Sequence, residues 1–117
     1  DPRTVDGLLR RAKKLRGTEP AEALRLYKKV LALNPSHVDA MHMAGRALLR
    51  LGRTSEAVAM LKRCRTSSPR FSPCLFFLGQ AYDRAGQAEL ARKAYQTLVD
   101  RNPESSYALK ARKKLGQ

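Results

Sequence analysis

The sequence predicts an all-α chain of three antiparallel helix pairs and one closing helix. Three observations carry that expectation. Asn34-Pro35, Ser68-Pro69 and Asn102-Pro103 recur at a spacing of 34 residues. Glycines return in the same frame: Gly45 and Gly79 lie 24 residues before Pro69 and Pro103, and Gly52 and Gly86 lie 17 before the same prolines. Between these markers apolar residues follow helical spacing, as in Val5, Leu8, Leu9, Ala12 and Leu15. An internal period of this length signals a stack of two-helix units, each too small to bury its own apolar face.

The first stripe aligns best with Met41, Ala44, Gly45, Leu48 and Leu51, an offset of 36 rather than 34. The segment Arg16-Gly17-Thr18-Glu19-Pro20 is therefore a longer inter-helix turn, and the opening helix lacks a clear cap. Each proline closes a unit, because the residue before it is steered out of the helical region. Ser36-x-x-Asp39 reads as a capping box for the third helix. Gly52 and Gly86 end first helices, since glycine tolerates the left-handed cap conformation. Thr54-Ser55-Glu56 then supplies hydroxyls and an early acid for the fourth helix. Small residues at Gly45/Ala57 and Gly79/Ala91 let paired helices approach closely. Ser72-Pro73 reads as an N-cap followed by proline at the first helical position. Ser105 and Ser106 cap a last helix to about Leu115, with Arg112, Lys113 and Lys114 off its apolar side. Seven helices follow, with turns near Gly17, Pro35, Gly52, Pro69, Gly86 and Pro103.

The frame holds Ala23, Ala57 and Ala91 twelve residues before each proline, and Tyr27, Leu61 and Tyr95 eight before it. In length and motif positions it resembles the tetratricopeptide repeat (TPR) family. The best match is Leu78-Gly79-x-x-Tyr82, then Ala91-x-x-x-Tyr95, then Pro103. The second unit reads Ala44-Gly45-x-x-Leu48, Ala57-x-x-x-Leu61, Pro69. Met41 and Leu75 stand where the family has an aromatic. The resemblance implies a right-handed α-solenoid of three TPR helix pairs with repeats at about 4–37, 38–71 and 72–105, plus a C-terminal capping helix over 106–117. Residues 1–117 then form one TPR domain. The resemblance also implies that Tyr82 and Tyr95 are core and that Cys64 occupies a small buried position.

In this family first helices line a concave groove. Removing the apolar stripes leaves equivalent outward rows: Arg10, Arg46, Gln80, Lys114; Lys14, Arg50, Arg84; Asp6, His42, Phe76, Lys110; and Lys13, Leu49, Asp83. The expected peptide-binding set is Arg10, Lys14, His42, Arg46, Leu49, Arg50, Phe76, Gln80, Arg84, Lys110 and Lys114. In this arrangement Phe76 faces the groove and Phe77 packs between helices; a slight roll of the helix would make both core. Cations around an apolar centre suit an acidic segment with hydrophobic anchors, because arginine pairs bidentately with carboxylate. Some members of the family bind chaperone C-termini through a Lys/Asn/Lys/Arg set. Asp6, Arg10, Met43, Phe76 and Gln80 stand in the corresponding neighbourhood and do not match it.

Charge agrees in sign. The chain has 24 Lys+Arg and 10 Asp+Glu, a net +14. The excess is +5 over residues 1–37, +5 over 38–71 and +4 over 72–117, so it is no basic tail. Such a surface favours acidic partners, with a protein partner expected and nucleic acid the alternative. No apolar run reaches the roughly 18 residues of a membrane span. No signal peptide is visible, and the chain opens Asp1-Pro2-Arg3-Thr4, which fits a module of a larger multidomain chain, read here as cytoplasmic.

Catalysis, cofactor and metal are not expected. His37 and His42 lack the i,i+3 or i,i+4 spacing of a helical zinc pair, and no phosphate-binding glycine loop or nucleophile–base pair occurs. Cys64 and Cys74 are too few for a disulfide framework. They flank the turn at Pro69 about equally, so antiparallel helices could join them, although a cytosolic setting disfavours a disulfide.

Overall fold

The computed structural model describes all 117 residues, Asp1 to Gln117. Seven helices follow one another: α1 (Val5–Leu15), α2 (Pro20–Leu33), α3 (Val38–Arg50), α4 (Thr54–Ser67), α5 (Ser72–Arg84), α6 (Ala88–Arg101) and α7 (Ser106–Lys114). Each packs on its neighbours in sequence, and α3, α5 and α7 also touch in series. The result is an α-solenoid measuring 45 × 26 × 21 Å.

Helix pairing rests on two absent side chains. A Cβ on Gly45 would collide with the side chain of Leu61, and one on Gly79 with the ring of Tyr95. The expected pairing of these glycines with Ala57 and Ala91 is thus only half the arrangement. Both alanines are buried, but Leu61 and Tyr95 fill the space that the glycines leave. Gly52 and Gly86 have φ of 74° and 78°, the left-handed turn that returns the chain for its next helix.

Successive pairs meet at three equivalent junctions. Val30 and Ala40 flank the α2–α3 turn in sequence, and Cys64/Cys74 and Leu98/Ala108 hold the same repeat positions around the next two turns. All six side chains are fully buried. Cys64 and Cys74 are joined by a disulfide, with Cα atoms 5.6 Å apart.

The caps differ from expectation. His37, not Ser36, caps α3: its Nδ1 accepts from the Ala40 N–H at 3.1 Å. The reason is that Ser36 lies in the turn, where its own N–H donates to Asn34 Oδ1. α4 starts at Thr54, so Thr54 and Ser55 are helical and make no cap; Arg53, just before it, donates two hydrogen bonds of 2.6 and 2.7 Å to Glu56. Ser72 likewise falls inside α5, where its Oγ accepts from Asn102 Nδ2 at 2.9 Å. Thr4 does cap α1, accepting from the Gly7 N–H, and Ser105 caps α7 as expected.

Asp39 ties α1 to α3. Its carboxylate accepts from His42 Nδ1 at 3.4 Å and lies 3.0 Å from Lys13 Nζ. The His42 contact, helped by Lys13 against the opposing effect of burial, holds Asp39 well below the usual carboxylate range. A depressed folded-state pKa stabilises above the unfolded value of about 4, and the contribution is lost as pH falls below it. Asp39→Asn should therefore melt lower than the parent at neutral pH, with the gap narrowing below about pH 4; a gap independent of pH would contradict this role. Gly79→Ala should cost about 1–3 kcal/mol in chemical denaturation through the clash with Tyr95. Gly17→Ala, where a Cβ meets nothing within 4 Å, should stay within about 0.5 kcal/mol of the parent. Equal effects would refute the close approach of α5 and α6.

Candidate functional site

α3 and α5 run side by side and form the walls of an open cavity of about 270 Å³. It is lined by Arg46, Leu49, Arg50, Phe77, Gln80 and Arg84. Five of these six belong to the set expected from sequence. The sixth is Phe77, in place of Phe76.

This exchange is the main correction. Phe76 is 4% exposed and packs against Tyr95 and Tyr107, with ring centroids 5.8 and 5.4 Å away. Neighbouring helical residues differ by about 100° in direction, so turning Phe76 toward Tyr95 swings Phe77 toward α3. There the Arg46 guanidinium sits 4.5 Å from the Phe77 ring centroid, a cation–π contact. His42, in the row of Phe76, is also turned inward. It is 5% exposed and stacks on Phe77 at 5.4 Å. Its Nε2 is buried without a hydrogen-bond partner. Leu49 is buried too, but remains part of the cavity floor.

The two walls are tied directly: Arg84 Nη1 donates to the Leu49 carbonyl at 2.9 Å. Arg46 is half-buried, with Met43 Sδ 3.9 Å from Nη1. Burial pushes its guanidinium pKa down, and the like charges of Arg16 and Arg50 act in the same sense. Arginine nonetheless stays protonated in proteins, so the site holds a concentrated positive charge. Arg16, placed by sequence in the turn after α1, lines a small notch beside this site with Met43, Arg46, Ala47 and Arg50. Nothing in the 34-residue frame flags Arg16, because the first turn is longer than the others. Phe77 is itself buried, 9% exposed, so both phenylalanines are core, as a roll of the helix gives, and Phe77 reaches the cavity lining from there.

Arg10, Lys14, Lys110 and Lys114 are exposed and lie outside the cavity lining. Lys110 Nζ rests 5.2 Å from the Tyr107 ring centroid.

The placement of acids sharpens the electrostatics. Glu22, Glu56 and Glu89 begin α2, α4 and α6, and each pairs with an arginine at i±3: Arg25, Arg53 and Arg92. None of Arg46, Arg50 and Arg84 has a carboxylate within ion-pair distance. The acids of the second helices are thus spent on local pairs, while the cavity arginines remain uncompensated.

Comparison with known proteins matches this architecture. The model of the tetratricopeptide repeat family matches residues 15–65 and 52–115. No curated protein matches. Among solved structures, a MamA fragment from Desulfovibrio magneticus RS-1 shares 28% identity with a TM-score of 0.85, covering 97% of this chain and 63% of that one. A MamA double mutant shares 27% identity at 0.85 and is covered over 64% of its length. The present chain thus spans somewhat less than two thirds of either. The Sgt2 TPR domain of Aspergillus fumigatus superposes with a TM-score of 0.87 at 18% identity, covering 94% of this chain and 75% of that one. The first TPR of Spaghetti (RPAP3), solved bound to an HSP90 peptide, gives 0.84 at 18% identity, covering 100% and 97%. At such low identity the last two show the fold alone. With its 34-residue frame, its seven stacked helices and a family match across nearly its whole length, the chain belongs to the tetratricopeptide repeat family.

Proposed function

We propose that this chain is a protein-interaction module that binds an acidic, partly apolar segment of a partner between α3 and α5. The observation that carries the reading is the cavity itself: an apolar floor of Phe77 and Leu49 under three arginines with no acidic partner. An apolar side chain seated on that floor would supply most of the affinity, and flanking carboxylates would steer and orient the segment. The peptide-bound TPR of Spaghetti supports a peptide as the class of ligand. The outlying cations Arg10, Lys14, Lys110 and Lys114 belong in this reading to long-range steering.

Nucleic acid is the competing reading, supported by the net +14. Against it, Phe76 and Tyr95 are buried and offer bases no stacking surface.

Binding is measured by fluorescence anisotropy with two kinds of probe: short acidic peptides carrying Leu or Phe, and a single-stranded oligonucleotide. Arg46→Glu with Arg50→Glu should weaken the peptide about tenfold or more, equivalent to about 1.4 kcal/mol or more. Phe77→Leu should weaken it at low and high salt alike. Lys62→Glu with Lys93→Glu makes the same charge change on exposed, unpaired sites of α4 and α6 and should matter little. Arg63 and Arg92 are poorer controls, because Arg63 donates to the Pro35 carbonyl and Arg92 pairs with Glu89. If both double reversals hurt equally, Phe77→Leu is silent and the oligonucleotide binds with a steep salt dependence, the nucleic-acid reading replaces this one.

A further inference from the structure

The Cys64–Cys74 bridge occupies one of three equivalent junctions, and the other two show what packing alone requires there. One carries Val30 and Ala40 at the equivalent positions, the other Leu98 and Ala108; every one of these side chains is fully buried. Each pair spans ten residues, as does the bridge. A buried aliphatic residue and a buried alanine therefore suffice at these two positions. Packing explains one small apolar side chain at either cysteine position, but not thiols at both partner positions of the same junction.

The location ties the bridge to the groove. Cys64 lies in the last turns of α4 and Cys74 in the first turn of α5. Phe77 follows Cys74 by three residues, under one turn of helix. At its far end α5 is tied to α3 through Arg84 and the Leu49 carbonyl. The bridge and this hydrogen bond thus hold α5, one wall of the cavity, at both ends.

We propose that the Cys64–Cys74 bond is a permanent staple, formed because this chain folds and meets its partner in an oxidising compartment, and that it fixes the α5 wall of the groove. The partner is then a protein of that same compartment, and the cytoplasmic expectation is replaced. This second part rests on the peptide-groove reading; the staple itself does not. In forming the bond the two thiols give up two protons and two electrons. The electrons pass to the disulfide of an oxidised thiol–disulfide oxidoreductase, whose S–S bond breaks to leave two thiols. Both sulfurs then lie in fully buried residues, out of reach of small reductants in the folded state. Disulfides persist in secreted, periplasmic and lumenal settings and are rare where thiol reductants are abundant.

The test begins with the full chain in its native host. Cells are quenched in acid, denatured and treated with a maleimide, with and without prior reduction. After digestion, the peptides bearing Cys64 and Cys74 should carry no maleimide without prior reduction and one each after it. Two additions without reduction would overturn the proposal. Purified protein then tests the staple. Cys64→Val with Cys74→Ala installs the aliphatic pair of the first junction and removes only the bond. It should remain helical and melt about 10 °C below the oxidised parent. The parent, reduced while unfolded and refolded with reductant, should melt with the variant. Melting of both at the temperature of the oxidised parent would show that the bond is no staple. With the acidic Leu-containing peptide as probe, the variant should bind about threefold or more weaker. Unchanged affinity refutes the link to the groove. No binding by the oxidised parent refutes the groove reading instead, and leaves the thiol-trapping result to decide the compartment.

Discussion

Tyr95 occupying the space of the missing Gly79 side chain is the contact on which the site depends. Because position 79 has no Cβ, α6 approaches α5 until the Tyr95 ring fills the vacancy. The ring then presents a surface to Phe76, 5.8 Å away, and Tyr107 of α7 encloses Phe76 from another side. Once Phe76 is committed inward, the helical pitch aims Phe77 at α3. Arg46 settles over that ring at 4.5 Å, and the cavity between Leu49 and Arg84 follows. Tyr95 is itself anchored, since its hydroxyl donates to Asp83 Oδ2 at 3.3 Å; burial and that carboxylate keep the phenol protonated to high pH. The groove face is thus set by packing on the opposite side of α5.

Charge is sorted by the same architecture. The acids that open α2, α4 and α6 favour helix N-termini and are neutralised by arginines one turn away. These exposed pairs contribute little to stability, but they remove carboxylates from competition for the cavity arginines. Other cations serve the backbone: Arg63, Arg101 and Arg112 donate to the carbonyls of Pro35, Pro69 and Pro103. A net charge of +14 therefore divides into cations with local structural tasks and a smaller group left without partners.

Much of this was readable from spacing alone. The recurring prolines and the glycines at 52 and 86 place five of the six turns, because both residue types act through the backbone and need no tertiary context. Rows of outward positions at Arg46, Arg50, Gln80 and Arg84 followed from the repeat. The rotation of α5 did not follow, since choosing between Phe76 and Phe77 depends on what α6 and α7 offer, and both residues are apolar. Gly79 and Tyr95 held that information separately, and only their contact joins it. The cap at His37 and the start of α4 directly after Arg53 were missed for a similar reason: hydroxyl residues one position away fit the usual pattern, while the actual helix starts follow the turns at Pro35 and Gly52. The spacing of Cys64 and Cys74 left a bond open, and the repeat comparison with Val30/Ala40 and Leu98/Ala108 gives it meaning.

In the proposed complex, an acidic, partly apolar segment lies on the face of α5 bearing Phe77. Backbone amide chemical shifts of the labelled chain, titrated with an acidic Leu-containing peptide, test this directly. The largest changes should cluster at Arg46, Leu49, Arg50, Phe77, Gln80 and Arg84. Changes spread along the cations of α2, α4 and α6, with these residues unmoved, would contradict it.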